Sequence, residues 1–245
     1  MNSKKRWIII LCLLSCAAVA VGAEAGADAG IEKETFLDLI KKGGPVMYPL
    51  LVCSIIVFTV IIERIFFWIK LDINSDQALV DDILELCRTG DWQAVKQKSA
   101  NSKDITLKIL ISGILHKEFS MGKAMEAAAN EEVARMRQFM GILDTMITVA
   151  PLLGIFGTVI GIITSFEVLG TSGIEHPHAV TAGIAQALIT TATGLGIAIL
   201  TVFPYNYFNS KVEKAVHDIE KYATSLEIVY EKLIPNSNRK EEGAP

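Results

Sequence analysis

The chain has 245 residues, of which 51% are hydrophobic and 20% are charged, and its net charge is -4. This small charge is spread along the chain, which argues against a protein that binds nucleic acid. The hydrophobic residues are concentrated in long uncharged blocks, and a block of about 18 residues or more is long enough to cross a bilayer. The composition therefore indicates an integral membrane protein.

The N-terminal residues have the pattern of a secretory signal peptide. Three basic residues precede an apolar stretch of about 15 residues, and small residues follow it. We predict a signal peptide over residues 1–23, with cleavage after Ala23 or Ala20. An uncleaved anchor and lipoprotein processing at Cys16 are the alternatives.

A short segment and a first membrane span follow. Residues 24–43 are predicted to form a periplasmic amphipathic segment, which glycine and proline end before the first span at residues 45–67. This span closes with Glu63, Arg64 and Trp68, a polar and aromatic end that is typical of a membrane surface. We interpret Glu63 and Arg64 as an interfacial anchor.

Residues 70–138 have the character of a helical domain outside the membrane. Four helices are predicted there: one capped by Ser75, one after the turn at Gly90, one near 105–117, and one capped by Ser120. The fourth is expected to continue through Met140 into the next membrane span.

Two further spans, a loop and a tail complete the chain. The spans are predicted at residues 140–167 and 179–208, joined by a periplasmic loop at 168–178. In the tail, 209–245, apolar residues recur at alternating spacings of three and four, so one long helix is expected to project from the membrane. That helix packs either on the loop domain of its own chain or in a bundle between subunits.

The distribution of basic residues predicts the orientation. The 70–138 block holds ten Lys and Arg residues, the loop after Glu167 none up to His178, and the tail after Ser210 six. Basic residues favour the cytoplasmic side, although Lys33, Lys41 and Lys42 are a minor contrary signal. We therefore expect a multi-pass protein of the cell inner membrane, with its mature N-terminus periplasmic and its C-terminus cytoplasmic.

The second and third spans carry stripes of small and hydroxylated residues. At 3.6 residues per turn, one stripe lies within roughly 60° on the second span, and another lies within roughly 80° on the third. Small side chains allow helices to approach closely, and the stripes favour a packed or pore-facing surface. The second-span stripe comprises Pro151, Gly154, Thr158, Gly161 and Ser165, and GxxxG spacing adds Gly157. The third-span stripe comprises Gly183, Gln186, Thr190, Thr193, Gly194 and Thr201.

Spacing distinguishes two neighbouring threonines of the third span. Gln186 and Thr190 lie on one side, and Thr191 lies roughly 140° away from Gln186. Spacing alone therefore selects Gln186 and Thr190 as pore candidates and does not select Thr191.

Two motifs give the chain a family resemblance. TVAPLLGIFGTVIG at residues 148–161 resembles the second-span motif of the ExbB/TolQ/MotA proton-channel family, and GIAQALITTATGL at 183–195, with the later Tyr205-Asn206, resembles its third-span motif. The resemblance extends from about Gly43 to Tyr222 and is greatest to the three-span ExbB and TolQ branch, since the flagellar MotA branch has four spans.

The resemblance implies a homopentamer of three-span subunits around an ExbD- or TolR-like single-span partner. That partner supplies a membrane Asp, and proton motive force drives a TonB- or TolA-like protein. Thr158 and Thr191 match the family's pore-facing threonines. Gln186 stands where ExbB and TolQ proteins commonly carry Glu, so Gln186 itself cannot carry a proton.

We therefore expect an all-α integral membrane protein that conducts protons, has no cofactor and is not an enzyme. The predicted proton pathway comprises Thr158, Thr191, Gln186, Thr190 and Ser165. A TolQ-like role in envelope integrity and a non-conducting membrane scaffold are the alternatives. His176 and His178 could bind a metal, but no Cys or carboxylate set completes a site, so no metal site is predicted.

Overall fold

The computed structural model describes residues 43–74, 77–99, 102, 104–116, 120–172 and 177–241. The predicted signal peptide, the segment before residue 43 and the loop residues 173–176 lie outside the described residues. The described residues form seven α-helices: α1 (Met47–Asn74), α2 (Gln77–Thr89), α3 (Trp92–Ser99), α4 (Ile105–Leu115), α5 (Met121–Arg137), α6 (Met140–Ser172) and α7 (Pro177–Glu241).

Three of these helices contain segments long and apolar enough to cross a membrane, namely α1, α6 and α7. The predicted all-α membrane fold is therefore confirmed, and the described residues contain the three predicted spans. Helix α7 has 65 residues, which at 1.5 Å per residue is about 98 Å, roughly three times the hydrocarbon thickness of a bilayer. The prediction of one long helix through the third span and the tail is also confirmed.

The chain divides into two compact units. Unit 1 contains the described residues up to Thr59 together with Ile142–Pro204, and unit 2 contains Val60–Gly141 together with the described residues from Tyr205 onward. In unit 1, the start of α1 is buried through Val46, Met47 and Leu50, which pack against side chains of the other two spans. Those side chains are Leu153, Ile160, Ile189 and Ile197.

Unit 2 is a helical domain with its own core. Val80, Ile83 and Cys87 of α2, together with Leu107 and Leu110 of α4, are almost fully buried. Asp104 caps α4, because its carboxylate accepts hydrogen bonds from the backbone N–H groups of Thr106 and Leu107. Val212, Ile219 and Leu226 of α7, which belong to the apolar pattern of the tail, are also buried within the single chain. The tail thus packs on the loop domain of its own chain, one of the two alternatives left open by the sequence.

The fourth loop helix begins directly after Ser120, as predicted, but two features of it differ from the prediction. Ser120 makes no side-chain cap hydrogen bond to α5, and the helix does not continue unbroken into the membrane span. It stops at Arg137, and the backbone turns at Phe139, which has a positive φ of 63°. A left-handed residue just past the end of a helix is a common helix stop, and Arg64 supplies donors to the last carbonyl groups there.

Candidate functional site

The second and third spans make close contact through glycines of α6. A methyl group added at Gly154 would lie 3.1 Å from both the carbonyl oxygen of Thr190 and the Cα of Thr191. At Gly161 it would lie 2.9 Å from the carbonyl oxygen of Gly183. These spacings leave almost no room for a side chain, so the two backbones approach each other as closely as small residues permit.

The third span contributes glycines of its own to this contact. A methyl group at Gly194 would lie 3.1 Å from the Cα of Gly154, and one at Gly183 would lie 3.1 Å from the carbonyl oxygen of Gly161. Gly157 faces the side chain of Thr190, and Pro151 lies inside α6, half-buried. The predicted helix-packing residues other than Pro151 therefore lie at one antiparallel contact between α6 and α7.

Two hydroxyls of the predicted pathway are buried at this contact. Ser165 is 4% exposed, and its Oγ donates to the carbonyl oxygen of Gly161 at 2.8 Å and approaches that of Val180 on α7 at 3.2 Å. Thr190 is 1% exposed and donates to the carbonyl oxygen of Ala187 at 2.8 Å. In the isolated chain, neither side chain faces an open surface.

The other two hydroxyls are only half-buried. The Oγ1 of Thr191 donates across the helix contact to the carbonyl oxygen of Gly154 at 3.0 Å, whereas that of Thr158 donates within α6 to Ile155 at 2.5 Å. A hydroxyl has one donor and two acceptor lone pairs. Each oxygen can therefore still accept a hydrogen bond from water while its proton is held by a carbonyl group.

The structure places Gln186, Thr190 and Thr191 differently from the helix faces that their spacing predicted. Thr190 and Thr191 both contact α6, although spacing placed Thr191 on another side, because at a glycine-lined contact the backbone of α7 itself touches its neighbour. Gln186 instead lies beside Gly44, just before α1, and is half-buried. Gly44 is a contact that sequence reasoning missed, because nothing in the sequence brings the first span to Gln186.

No titratable carboxylate or amine lies within the central parts of the second and third spans. Residues 145–166 and 179–210 contain no Asp, Glu, Lys or Arg. The arrangement can order water through its hydroxyls and one amide, but it cannot take up and release a proton by itself. Among the described residues, no group of three or more His, Cys, Asp or Glu side chains could hold a metal ion. His176 lies outside these residues.

Comparisons with known proteins agree with the two motifs. Residues 101–221 match the MotA/TolQ/ExbB proton channel family. A Synechocystis protein named biopolymer transport protein ExbB-like 3 is 32% identical over 206 residues, which cover 81% of this chain and 97% of that protein. The chain belongs to the MotA/TolQ/ExbB proton channel family.

Other relatives lie in two branches of this proton channel family. The Synechocystis protein named ExbB-like 1 is 35% identical over 205 residues, or 80% of each chain. The Tol-Pal system protein TolQ of Pseudomonas aeruginosa is 32% identical over 118 residues, covering 48% of this chain and 51% of its own. Family membership makes this chain a multi-pass membrane protein of a proton-channel class and not of an enzyme class.

Unit 2 of this channel-family chain buries Arg64, a cation that the sequence analysis interpreted only as part of an interfacial anchor. Arg64 is 1% exposed, pairs with Glu63 at 2.5 Å, and donates to the carbonyl oxygens of Arg135 and Met136 at 3.3 Å each. Its guanidinium also lies 4.6 Å from the centre of the Phe67 ring. The predicted interfacial anchor thus also closes the end of α5, to which no local sequence signal points.

Unit 2 also has a half-open cavity of about 180 Å³ between α1, α2, α4, α5 and α7. Its wall carries charges of both signs, including Asp72, which pairs with Lys211 at 3.2 Å. Trp68 lines it and is 4% exposed, and its indole nitrogen has no hydrogen-bond partner within the described parts of the chain. A polar cavity of this size has room for several water molecules, and water can accept a hydrogen bond from the indole N–H.

Proposed function

We propose that this chain is the proton-conducting subunit of a complex in the cell inner membrane. In this proposal the complex uses proton motive force to drive a TonB-like protein for transport at the outer membrane. The observation that carries the proposal is the α6–α7 contact. In a chain of a proton channel family, this contact bears hydroxyl groups and no titratable group. Its hydroxyl oxygens can bind water, and they leave proton uptake and release to another chain.

The missing titratable group defines the partner. We propose a homopentamer around an ExbD- or TolR-like single-span protein that supplies a membrane Asp, with a TonB- or TolA-like protein as the element that is driven. A charge at the centre of a spanning helix costs about 2.5 to 3.5 kcal/mol on insertion scales. Gln186 keeps a charge out of this span in each subunit, while its amide can still orient water.

The free energy released per proton suits a complex that works in repeated cycles. Each proton that moves down a membrane potential of 100 mV releases about 2.3 kcal/mol. We propose that several protons per cycle are coupled to one movement of the packed helices. Protons are the coupling ion in this account, and no cofactor takes part.

The proposed topology follows the distribution of basic residues. The mature N-terminus and the loop between α6 and α7 would be periplasmic, and unit 2 with the end of α7 would be cytoplasmic. A cysteine placed at exposed Thr171 and another at exposed Glu220 test this orientation in cells whose native cysteines have been replaced. A membrane-impermeant maleimide should label the Thr171→Cys variant in intact cells and the Glu220→Cys variant only after lysis, and the reverse pattern would overturn the orientation.

The experiment that tests conduction compares liposomes with and without the partner. The chain would be purified together with the single-span protein encoded beside it, and proton uptake driven by a potassium diffusion potential would be recorded with a pH dye. We expect uptake with the partner, none from the chain alone, and none when the partner's membrane Asp is replaced by Asn. Uptake by neither preparation would favour the scaffold reading.

A TolQ-like role in envelope integrity is the second candidate, because the similarity to TolQ proteins spans 48% of the chain in one relative. The two roles differ in what the complex drives. Deletion of the gene should impair uptake of substrates that need a TonB-like protein in the first case. In the second case it should cause detergent sensitivity and leakage of periplasmic proteins.

A further inference from the structure

Gly44 occupies a conformation that suits glycine and few other residues. Its φ is +70°, and its carbonyl oxygen accepts a hydrogen bond from the N–H of Met47 at 3.1 Å. The left-handed region is open to glycine because glycine has no Cβ. This turn therefore fixes the point at which the chain enters α1.

The space that a side chain at Gly44 would fill is occupied by the amide of Gln186. A Cβ built on Gly44 would overlap the Nε2 of Gln186 and would lie 2.7 Å from its Cδ. These atoms are the far end of a flexible side chain. A methyl group at Gly44 would therefore displace the amide without having to separate the two helices.

The surroundings hold Gly44 and Gln186 in register. Met47 and Leu50, three and six residues beyond Gly44, are 4% and 0% exposed and belong to the buried cluster against which Ile189 of α7 packs. The amide lies level with the start of α1 and only nine residues after α7 begins at Pro177. It is therefore near one end of the first span, while Thr191 and Gly154 lie deeper along α7 and α6.

We propose that Gly44 is a positioning residue of the proton path. Because Gly44 has no side chain, the Gln186 amide can occupy the space beside it, at the periplasmic end of the path. The amide held there orients water where protons approach the hydroxyls of α6 and α7. This inference rests on the proposed function and assigns to the turn before α1 a part in conduction.

The chain offers a matched control for the backbone at Gly44. Gly90 has almost the same φ, +76°, and no described residue other than its chain neighbours comes within 4 Å of the position of its Cβ. Gly44→Ala and Gly90→Ala therefore impose similar backbone strain, but only the first displaces a side chain. We expect Gly44→Ala to lower proton flux by roughly tenfold or more, as small displacements of positioning groups can do. Gly90→Ala should leave flux unchanged, with both complexes retaining the wild-type mass.

A double-variant cycle separates positioning of the amide from strain. In a Gln186→Ser background no amide remains to be displaced, so Gly44→Ala should cause no further loss of flux. Strain alone would cause the same loss in both backgrounds. Gln186→Ser by itself could leave too little flux to compare. In that case an electron cryomicroscopy structure of the Gly44→Ala complex tests whether the amide is displaced, and we expect the rotamer of Gln186 to change.

The outcomes separate this inference from the proposed function. No flux in the wild-type complex would overturn the proposed function and, with it, the role of Gly44. Wild-type flux that persists in Gly44→Ala, or a Gln186 rotamer that stays unchanged in that variant, would overturn the role of Gly44 alone. Equal losses in Gly44→Ala and Gly90→Ala would also overturn it, because backbone strain would then explain both.

Discussion

The environment of a charged side chain decides how much it stabilises this protein. Arg64 and Arg88 each pair with a glutamate, but Arg64 is buried and also serves two backbone carbonyl groups, whereas the side chain of Arg88 is 65% exposed beside Glu85. Buried groups that lose a hydrogen-bond partner are costly, while exposed ion pairs contribute little. The same residue type therefore has different consequences at the two positions.

Arg64→Met should lower the free energy of unfolding by about 1 to 3 kcal/mol, because it leaves two carbonyl groups at the end of α5 without donors. Arg88→Met, the matched control, should change it by no more than about 1 kcal/mol. Thermal and denaturant unfolding in detergent, followed by circular dichroism, measure both. Equal effects of the two substitutions would mean that Arg64 does not close α5.

Cys87 makes the stability of unit 2 depend on pH. Burial raises the pKa of its thiol from an ordinary value near 9 to about 11. The folded chain then binds the thiol proton more tightly than the unfolded chain does, so this contribution to stability is complete below pH 9 and is lost as the pH rises from 9 to about 11.

The wild type should therefore lose stability between pH 9 and 11 more steeply than Cys87→Ala. Unfolding midpoints of the two proteins, measured across this range, give the comparison, and the difference in slope removes other groups that titrate there. Parallel curves would show that the thiol is not held in its neutral form by the fold.

At the scale of the helices, glycines determine how closely α6 and α7 approach. Gly194 and Gly196 lie two residues apart on α7, but only Gly194 faces backbone atoms of α6, and the Cβ position of Gly196 is open. Overpacking against backbone costs about 1 to 3 kcal/mol, whereas alanine in an open helix position is favoured over glycine by up to about 1 kcal/mol.

Gly194→Ala is accordingly expected to lower the unfolding midpoint of the purified chain, and Gly196→Ala to leave it unchanged or raise it. Melting curves in one detergent, recorded by circular dichroism, make the comparison. A midpoint for Gly194→Ala at or above that of Gly196→Ala would contradict the close α6–α7 contact.

Helices could be predicted from the sequence wherever their cause is local. The uncharged runs located the three spans, and the apolar spacing of the tail predicted α7 as one helix. The break at Phe139 could not be found this way, because residues 120–140 read as continuous helix and the donors that close α5 come from Arg64, 71 residues earlier than Arg135. Ser120 was a plausible cap by residue type, yet its side chain does not accept the capping bond.

For the whole molecule, the motifs identified the family and its polar residues, but the arrangement of those residues required the fold. Which threonine contacts which glycine depends on the register of α6 and α7. Gln186 contacts Gly44 because the start of α1 packs on these two helices. Many apolar side chains of α6 and α7 remain exposed in the single chain, including Leu152, Ile155, Phe156, Leu188 and Phe203. Such surfaces suit lipid or neighbouring subunits, in keeping with the proposed assembly.

The most direct measurement of the central claim is proton flux through the reconstituted complex carrying Thr158→Val together with Thr191→Val. Valine keeps the shape of threonine and removes the hydroxyl. Thr59→Val is the control, because Thr59 is an exposed residue of α1 whose hydroxyl donates to the carbonyl oxygen of Ile55 in its own helix. We predict that flux is lost in the double variant and kept in the control, with both complexes of wild-type mass. Wild-type flux in the double variant would contradict a hydroxyl-lined proton path.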